Sequence, residues 1–282
     1  MGIFANPLTD LLEYEDFSRD FLKGTDPVGM TGCIDSEKVH FMSTFLGEKK
    51  VQLVVTYNEQ RAREIEEDYK LFCSQVYVIP PRDLIFFSAD LQGNAIIAER
   101  MKAFAALYQN EAKVIITTID ALMSAAVPFE QLMSHVIKLK EGDELDLEKL
   151  KHDLTVMGYE RVGRVEEPGQ FTVHGGIADV YPLTMEVPVR IELWGDEIDT
   201  IRCFEPQSQR SMDQIECVSV FPAAEVIADD TARRRAVGMI QNELESQLAV
   251  FKKAKEPDKA KRLREETNRI LEALGEDVVS VS

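Results

Sequence analysis

The stretch VRIELWGDEID, Val189–Asp199, has the clearest structural pattern in the chain. Apolar and polar residues alternate in it, which predicts a β-strand with one buried and one solvent-facing side. The solvent-facing side carries Arg190, Glu192 and Trp194, the only tryptophan in the chain. Exposed arginine and tryptophan are typical of the residues that dominate protein–protein binding energy. This side is therefore a candidate binding surface. The alternative is that Trp194 packs under a neighbouring element and Arg190 is a solvated edge charge.

Similar short strands surround this stretch and are separated by turns. They predict a small antiparallel α+β domain over residues 128–212. Its predicted elements are a helix at Leu145–Met157 and strands at Arg161–Val165, Gly169–His174, Ile177–Tyr181, Val189–Trp194 and Asp199–Phe204.

The two flanking regions have different patterns. In residues 1–127, continuous apolar strands such as Val51–Thr56 alternate with helical segments, which predicts an α/β domain with a doubly wound parallel sheet. In residues 213–282, apolar residues recur every three or four positions and the pattern breaks at Glu256–Asp258. This spacing predicts a C-terminal helical hairpin.

The chain is acidic, with a net charge of −18 and a pI near 4.7. A protein that binds duplex DNA through its phosphates needs a local excess of lysine and arginine. Residues 229–274 contain 11 basic and 9 acidic residues, interleaved at helical spacing. We interpret them as a solvated helix face rather than a DNA-binding patch.

The four cysteines and four histidines have none of the spacings typical of metal sites. The sequence shows no signal peptide and no apolar run of membrane-spanning length. We therefore expect a cytoplasmic protein with reduced thiols, no bound metal, no cofactor and no membrane contact.

The segment GMTGCIDS, Gly29–Ser36, lies between a predicted strand and a predicted helix, where a phosphate-binding loop would lie. Gly29 and Ser36 match the pattern G-x-x-x-x-G-K-[ST]. Ile34 replaces the second glycine, Asp35 replaces the lysine, and Gly32 falls between the fixed positions. A carboxylate at the lysine position repels phosphate, so we expect no ATP binding. The alternative is an ordinary turn between a strand and a helix.

Other catalytic motifs are absent from the sequence, including G-x-S-x-G, H-E-x-x-H and G-x-G-x-x-G. We therefore predict no catalytic residues in this chain.

Four segments together resemble the UvrB-homology module of the bacterial transcription-repair coupling factor (Mfd) family. They are Gly158–Val162, Pro168–Leu183, Val189–Arg202 and Phe221–Ala223. The resemblance extends over essentially the whole chain, from the degenerate phosphate loop to the helical hairpin. It implies a helicase-like first domain similar to UvrB domain 1a over 1–127, a UvrA-binding domain similar to UvrB domain 2 over 128–212, and a helical segment similar to domain 1b over 213–282.

The resemblance also implies a function and a surface. The module is expected to be a non-catalytic adaptor that recruits the damage-recognition protein UvrA to stalled RNA polymerase. Its UvrA-facing residues are expected to include Arg190 and Trp194, with His174 at a position where the family usually has arginine. Arg161 and Arg202 on neighbouring strands are further candidates, for which an ion pair within the domain is the alternative.

RNA polymerase and DNA are expected to be contacted only through domains that lie outside this chain. Those domains are also expected to dock onto the module within the same protein.

Two alternatives remain open. The first is a UvrB-type, nucleotide-dependent excision-repair enzyme, which would need an intact phosphate loop and a long β-hairpin that clamps DNA. Residues 79–100 are too short for that hairpin. The second is a structural or autoinhibitory scaffold, in which the Arg190 and Trp194 surface docks onto other domains of the same protein.

Overall fold

The computed structural model describes residue 8 and residues 14–47, 51–82, 91–124, 126–227, 230–254 and 256–279. The chain divides into two compact units, Met1–Glu225 and Val226–Ser282.

The first half of the larger unit contains three strands and six helices among the described residues. They are α1 (Tyr14–Lys23), α2 (Asp35–Ser43), β1 (Gln52–Thr56), α3 (Glu59–Lys70), β2 (Val76–Ile79), α4 (Leu91–Tyr108), β3 (Val114–Thr118), α5 (Ile119–Met123) and α6 (Phe129–Met133).

The second half of this unit contains one helix and eight strands within its described part. They are β4 (Ile137–Lys140), α7 (Leu147–Val156), β5 (Glu160–Arg161), β6 (Gln170–His174), β7 (Ile177–Val180), β8 (Val189–Trp194), β9 (Glu197–Phe204), β10 (Ser211–Gln214) and β11 (Cys217–Val220).

The first half forms a parallel sheet in the order β1-β3-β2. Residues on α2 and α3 pack against Val114 and Ile116, whereas residues on α4 pack against Ile115. Because neighbouring residues of a strand face opposite ways, the helices cover both faces of the sheet. The predicted parallel sheet with helices is therefore confirmed. Exposed apolar side chains remain on β1, at Leu53 and Val55.

One local expectation for this region is wrong. The sequence predicted a strand ending at the glycine-containing loop, but the backbone is irregular from residue 24 to residue 34 and α2 begins directly at Asp35. Within the described range 14–47, no strand precedes this loop. The segment therefore lacks the strand that would hold a phosphate loop in place.

The second half forms a six-stranded sheet in the order β10-β9-β8-β7-β6-β5. Four of its five strand pairs are antiparallel, as predicted, but β5 pairs with β6 in parallel, so the sheet is mixed. Its core combines Leu150 and Leu154 of α7 with strand residues such as Phe171, Ile191 and Ile201. Burial of this face fixes the register, because a slip of one residue would expose it.

A separate two-stranded ribbon joins β11 to β4. β11 lies inside the segment 213–282 that the sequence analysis assigned to the helical region, yet it pairs with a strand of the predicted 128–212 domain. The larger unit ends at Glu225, shortly after β11, and the Glu225 carboxylate is buried. It accepts hydrogen bonds from Arg82, which follows β2, and from Arg100 in α4. This ion cluster fastens the end of the unit to the parallel-sheet half. The predicted three-domain division itself stays a prediction.

The smaller unit contains two helices, α8 (Asp230–Lys253) and α9 (Pro257–Val279). This helix pair confirms the predicted hairpin. In the described part of the chain, none of the helices is both long and apolar enough to cross a bilayer.

Candidate protein-binding surface

Strand β8 places its residues as the alternation predicted. Val189 and Ile191 are fully buried, whereas Arg190 and Glu192 are partly exposed and Trp194 is exposed. Arg190 and Trp194 are four residues apart on the same face, which corresponds to about 13 Å along the strand. They therefore belong to one surface but do not touch.

Trp194 lies at the end of β8, where two hairpins meet. The two-residue turn Gly195-Asp196 joins β8 to β9, and the turn Gly175-Gly176 joins β6 to β7. Gly195 has a φ of +66° and Gly175 a φ of +59°, which glycine adopts without steric cost. The backbone N–H of Leu193 donates to the carbonyl of Gly176 over 2.8 Å, so the two hairpin ends are tied together.

The Trp194 side chain is 85% exposed at these joined hairpin ends. Ile177, which begins β7, is 41% exposed and pairs with Glu192. His174 pairs with Ile177 on the other side and is also exposed. An exposed indole and an exposed isoleucine on neighbouring strands leave apolar area that a partner protein can cover.

Arg190 is held firmly by its own domain. Its Nε and a terminal nitrogen donate to the two carboxylate oxygens of Asp179 over 2.8 and 2.7 Å, and its guanidinium stacks 4.8 Å above the Phe204 ring. The hydrogen bonds from this guanidinium to the buried Asp179 carboxylate raise the pKa of Arg190. Only 22% of the Arg190 side chain is exposed, so a partner protein can reach only one edge of this cation.

The structure brings some of the other predicted residues into this group. Arg202 pairs directly with Arg190 across β8 and β9 and forms no ion pair in the described ranges. His174 lies near the hairpin turn, with its Nε2 3.0 Å from the Thr172 hydroxyl oxygen.

Arg161 is the exception. It is exposed at the far edge strand β5 and pairs in register with Phe171, a core residue. It therefore lies on the row opposite to the Arg190 face.

In the predicted nucleotide loop, the acidic side chains are paired with neighbouring groups of the chain. Asp35 begins α2, and its carboxylate lies 3.1 Å from Lys38 Nζ and 3.5 Å from a guanidinium nitrogen of Arg61. The hydrogen bond from Lys38, followed by the charge of Arg61, lowers the pKa of Asp35. The Ile34 N–H donates to Glu37 Oε2 over 3.0 Å. Two carboxylates thus lie at the helix end where an anion would otherwise bind.

The glycines of this loop have free space around them. Gly32 has a φ of +83°, and Gly29 has no atom within 4 Å of the position that a β-carbon would take. Ser36 lies in the first turn of α2. Across the described residues, no group of three or more His, Cys, Asp and Glu side chains is arranged to hold a metal ion.

Comparison with known proteins places the surface in a recognised domain. The family model described as the UvrB interaction domain matches residues 137–225, which include the whole six-stranded sheet. The chain is homologous to the N-terminal region of the transcription-repair-coupling factor. The residues that match the UvrB interaction domain thus include Trp194, Arg190, His174 and Arg202, which lie on a single sheet face.

The relatives that support this assignment are bacterial. The chain is 33% identical to the transcription-repair-coupling factor of Staphylococcus haemolyticus over 258 residues, 90% of this chain and 21% of that protein. It is 29% identical to that of Bacillus subtilis over 259 residues, 90% of this chain and 22% of that protein. The chain spans about a fifth of the length of these curated relatives.

Sequence reasoning did not identify two contributors to this surface. Asp179 anchors Arg190, and Ile177 adds apolar area beside His174. Both could be read from the alternation Ile177-Ala178-Asp179 after the Gly175-Gly176 turn, which places the first and third residues on one face of the strand and Ala178 on the other. The strand pairing that places them beside β8 depends on tertiary structure.

Proposed function

We propose that this chain is a non-catalytic adaptor module of transcription-coupled DNA repair that binds UvrA through the face centred on Trp194. Recruitment of UvrA to stalled RNA polymerase would then follow from other domains, which would make the contacts to the polymerase and to DNA. A cytoplasmic location is part of the same proposal.

The exposed Trp194 at the sheet end is the observation that carries this proposal. A tryptophan has a large apolar side chain, and leaving 85% of it in water is unfavourable unless a partner covers it. It lies inside the residues matched by the UvrB interaction domain. The two glycine turns and the Leu193–Gly176 hydrogen bond set the backbone position of Trp194 before binding, which limits the backbone entropy lost on association.

In this proposal Arg190 is a fixed cation at the border of the contact. Because Asp179 already accepts two of its hydrogen bonds, it adds an oriented charge rather than a new buried ion pair. Arg202 and His174 extend the polar rim, and Arg161 has no part in the contact.

The loop chemistry argues against the UvrB-type enzyme alternative. Asp35 in place of lysine, the Glu37 contact to Ile34 and the missing preceding strand all disfavour a bound triphosphate. They favour a first domain that serves as a scaffold for the interaction domain rather than as a nucleotide-binding site.

Titration with purified UvrA tests the proposal, with the wild-type chain compared to Trp194→Ala. Truncation of a central tryptophan removes about 2–4 kcal/mol of binding free energy, a loss of roughly 30- to 1,000-fold in affinity. Tyr57→Ala is the matched control because Tyr57 is 71% exposed but follows β1 in the parallel sheet. Its affinity should stay within about twofold of wild type.

Circular dichroism of each variant confirms folding before the titration. Equal loss of affinity in both variants would contradict the assigned surface. A folded wild-type chain with no UvrA binding would favour the alternative of a scaffold that docks onto its own protein.

A further inference from the structure

The junction of the helical hairpin concentrates positive charge. Residues 252–264 contain seven lysines and arginines and two acidic residues, although the whole chain has a net charge of −18. This run includes the end of α8 and the beginning of α9. The near balance of charge over the hairpin as a whole conceals this cluster, which is strong enough to attract an anionic partner.

Three of these cations line one groove. Lys252, Lys261 and Arg264 border a groove of about 730 Å³ between the two helix ends, and its apolar lining includes Leu248 and Phe251. Glu256 is the one acidic residue in this lining, and Lys259 Nζ contacts its carboxylate at 2.9 Å. The groove therefore combines an apolar floor with a basic rim.

The cations of the rim remain available for a ligand. In the described part of the smaller unit, Lys252 and Arg264 form no ion pair, and Lys261 Nζ approaches only Glu265 Oε1 at 3.9 Å. All three side chains are exposed.

The apolar side chains between the two helices are incompletely covered, and we call this row of side chains the apolar seam. None of the described side chains of α8 and α9 is buried, and Leu248, Phe251 and Leu263 are only half-buried. Two helices alone cannot enclose an apolar core, and a third amphipathic helix in the groove would cover the seam.

We propose that this groove binds an acidic amphipathic helix of a partner protein. Leucine-type side chains of the helix cover Leu248 and Phe251, and its carboxylates face Lys252, Lys261 and Arg264. The apolar floor favours such a helix over duplex DNA, whose phosphates would use the rim and leave the floor uncovered. This proposal uses none of the residues of the Trp194 surface and does not depend on UvrA binding.

The test uses the full chain and a fluorescent synthetic peptide of 16 residues with leucine at every third or fourth position and glutamate at most others. A scrambled peptide of the same composition and a 20-base-pair DNA duplex are the comparison probes. The decisive variants are Arg264→Glu and its matched control Arg262→Glu, which lies on the same helix, is exposed and does not line the groove. Both variants change the net charge equally.

We expect the amphipathic peptide to bind, the scrambled peptide to bind more weakly, and Arg264→Glu to lower the affinity by roughly tenfold. Arg262→Glu should change it by less than about threefold, because its charge acts only from a distance. Equal effects of the two variants, equal binding of both peptides, binding of DNA alone, or no binding of any probe would each overturn the proposal. Circular dichroism of both variants excludes unfolding as the cause of a loss.

Discussion

The loop around Asp35 and the sheet end around Trp194 are both exposed, but they differ in whether their exposed side chains have partners within the chain. At the loop, Asp35 is paired with Lys38 and Arg61, and Glu37 takes the N–H of Ile34. On the sheet face, Arg190 is bound by Asp179 of the same domain, whereas Trp194 at the end of the strand stays uncovered. In the first region the two carboxylates are already paired, whereas the second region presents uncovered apolar area at the end of a sheet.

This comparison shows how a binding surface differs from a merely charged one. Surface ion pairs such as those of Asp35 contribute little to stability, and their charged groups already have partners, so they offer a ligand little binding energy. The pair of Arg190 with Asp179 is partly buried and links β8 to β7 on the same sheet face as the exposed tryptophan. A backbone position that is set before binding and exposure of an apolar side chain together favour binding.

Among the changes to polar residues of the candidate surface, Arg190→Ala is expected to lower stability most. This change leaves the carboxylate of Asp179, a residue that is 6% exposed, without its cation, which destabilises the fold by about 3 kcal/mol. Urea denaturation measures the free energy of unfolding. Arg202→Ala is the control, because Arg202 lies opposite Arg190 on β9 but has no ion pair in the described residues, and its effect should be below about 0.5 kcal/mol. Equal effects would show that Arg190 is not an anchor.

A smaller loss is expected for Gly195→Ala in the turn beside Trp194. The positive φ of +66° strains any residue with a β-carbon, and we expect a loss of about 1 kcal/mol in the free energy of unfolding. Gly163→Ala provides the control, since Gly163 has no positive φ and no atom within 4 Å of the position that its new methyl group would occupy. A thermal or urea transition that shifts equally in both variants would refute a special role for the turn.

Trp194→Ala should leave stability almost unchanged. Because the indole is 85% exposed, its removal should alter the free energy of unfolding by less than about 0.5 kcal/mol. Phe204→Ala, at a fully buried aromatic below Arg190, should cost about 3–5 kcal/mol in the same urea experiment. A large stability loss in Trp194→Ala would mean that the indole packs within the domain.

The smallest effect concerns the titration of Asp35. Its pKa is lowered in the folded chain, chiefly by the hydrogen bond from Lys38, so its contribution to stability is present above the ordinary aspartate range and is lost as the pH falls through the lowered pKa. NMR titration of the Asp35 carboxyl should show a midpoint below 3.8, and Lys38→Ala should raise it. An unchanged midpoint in that variant would contradict the pairing.

The sequence predicted those features that depend on local periodicity. The alternation in β8 placed Arg190 and Trp194 on one face, and the apolar runs identified the parallel strands. Periodicity does not report which strands become neighbours, so neither the parallel pairing of β5 with β6 nor the antiparallel pairing of β11 with β4 was predicted. The Gly29–Ser36 motif led to a wrong strand, because a motif match carries no information about the backbone before it.

The candidate surface was only partly predictable for the same reason. Burial of Arg190 by Asp179 and Phe204 requires β7, β8 and β9 to lie side by side, and no local pattern reports that arrangement. The position of Arg161 on the opposite row was equally hidden, because β5 is a two-residue edge strand with no alternation to read.

Fluorine NMR of the chain labelled with 5-fluorotryptophan tests the central claim most directly, because Trp194 is the only tryptophan and gives a single resonance. In the free chain, this resonance should shift between H₂O and D₂O, as expected for an exposed indole. Saturating unlabelled UvrA should move or broaden the resonance and reduce that solvent shift. UvrA that demonstrably binds the chain while the resonance and its solvent shift stay unchanged would contradict the role assigned to Trp194.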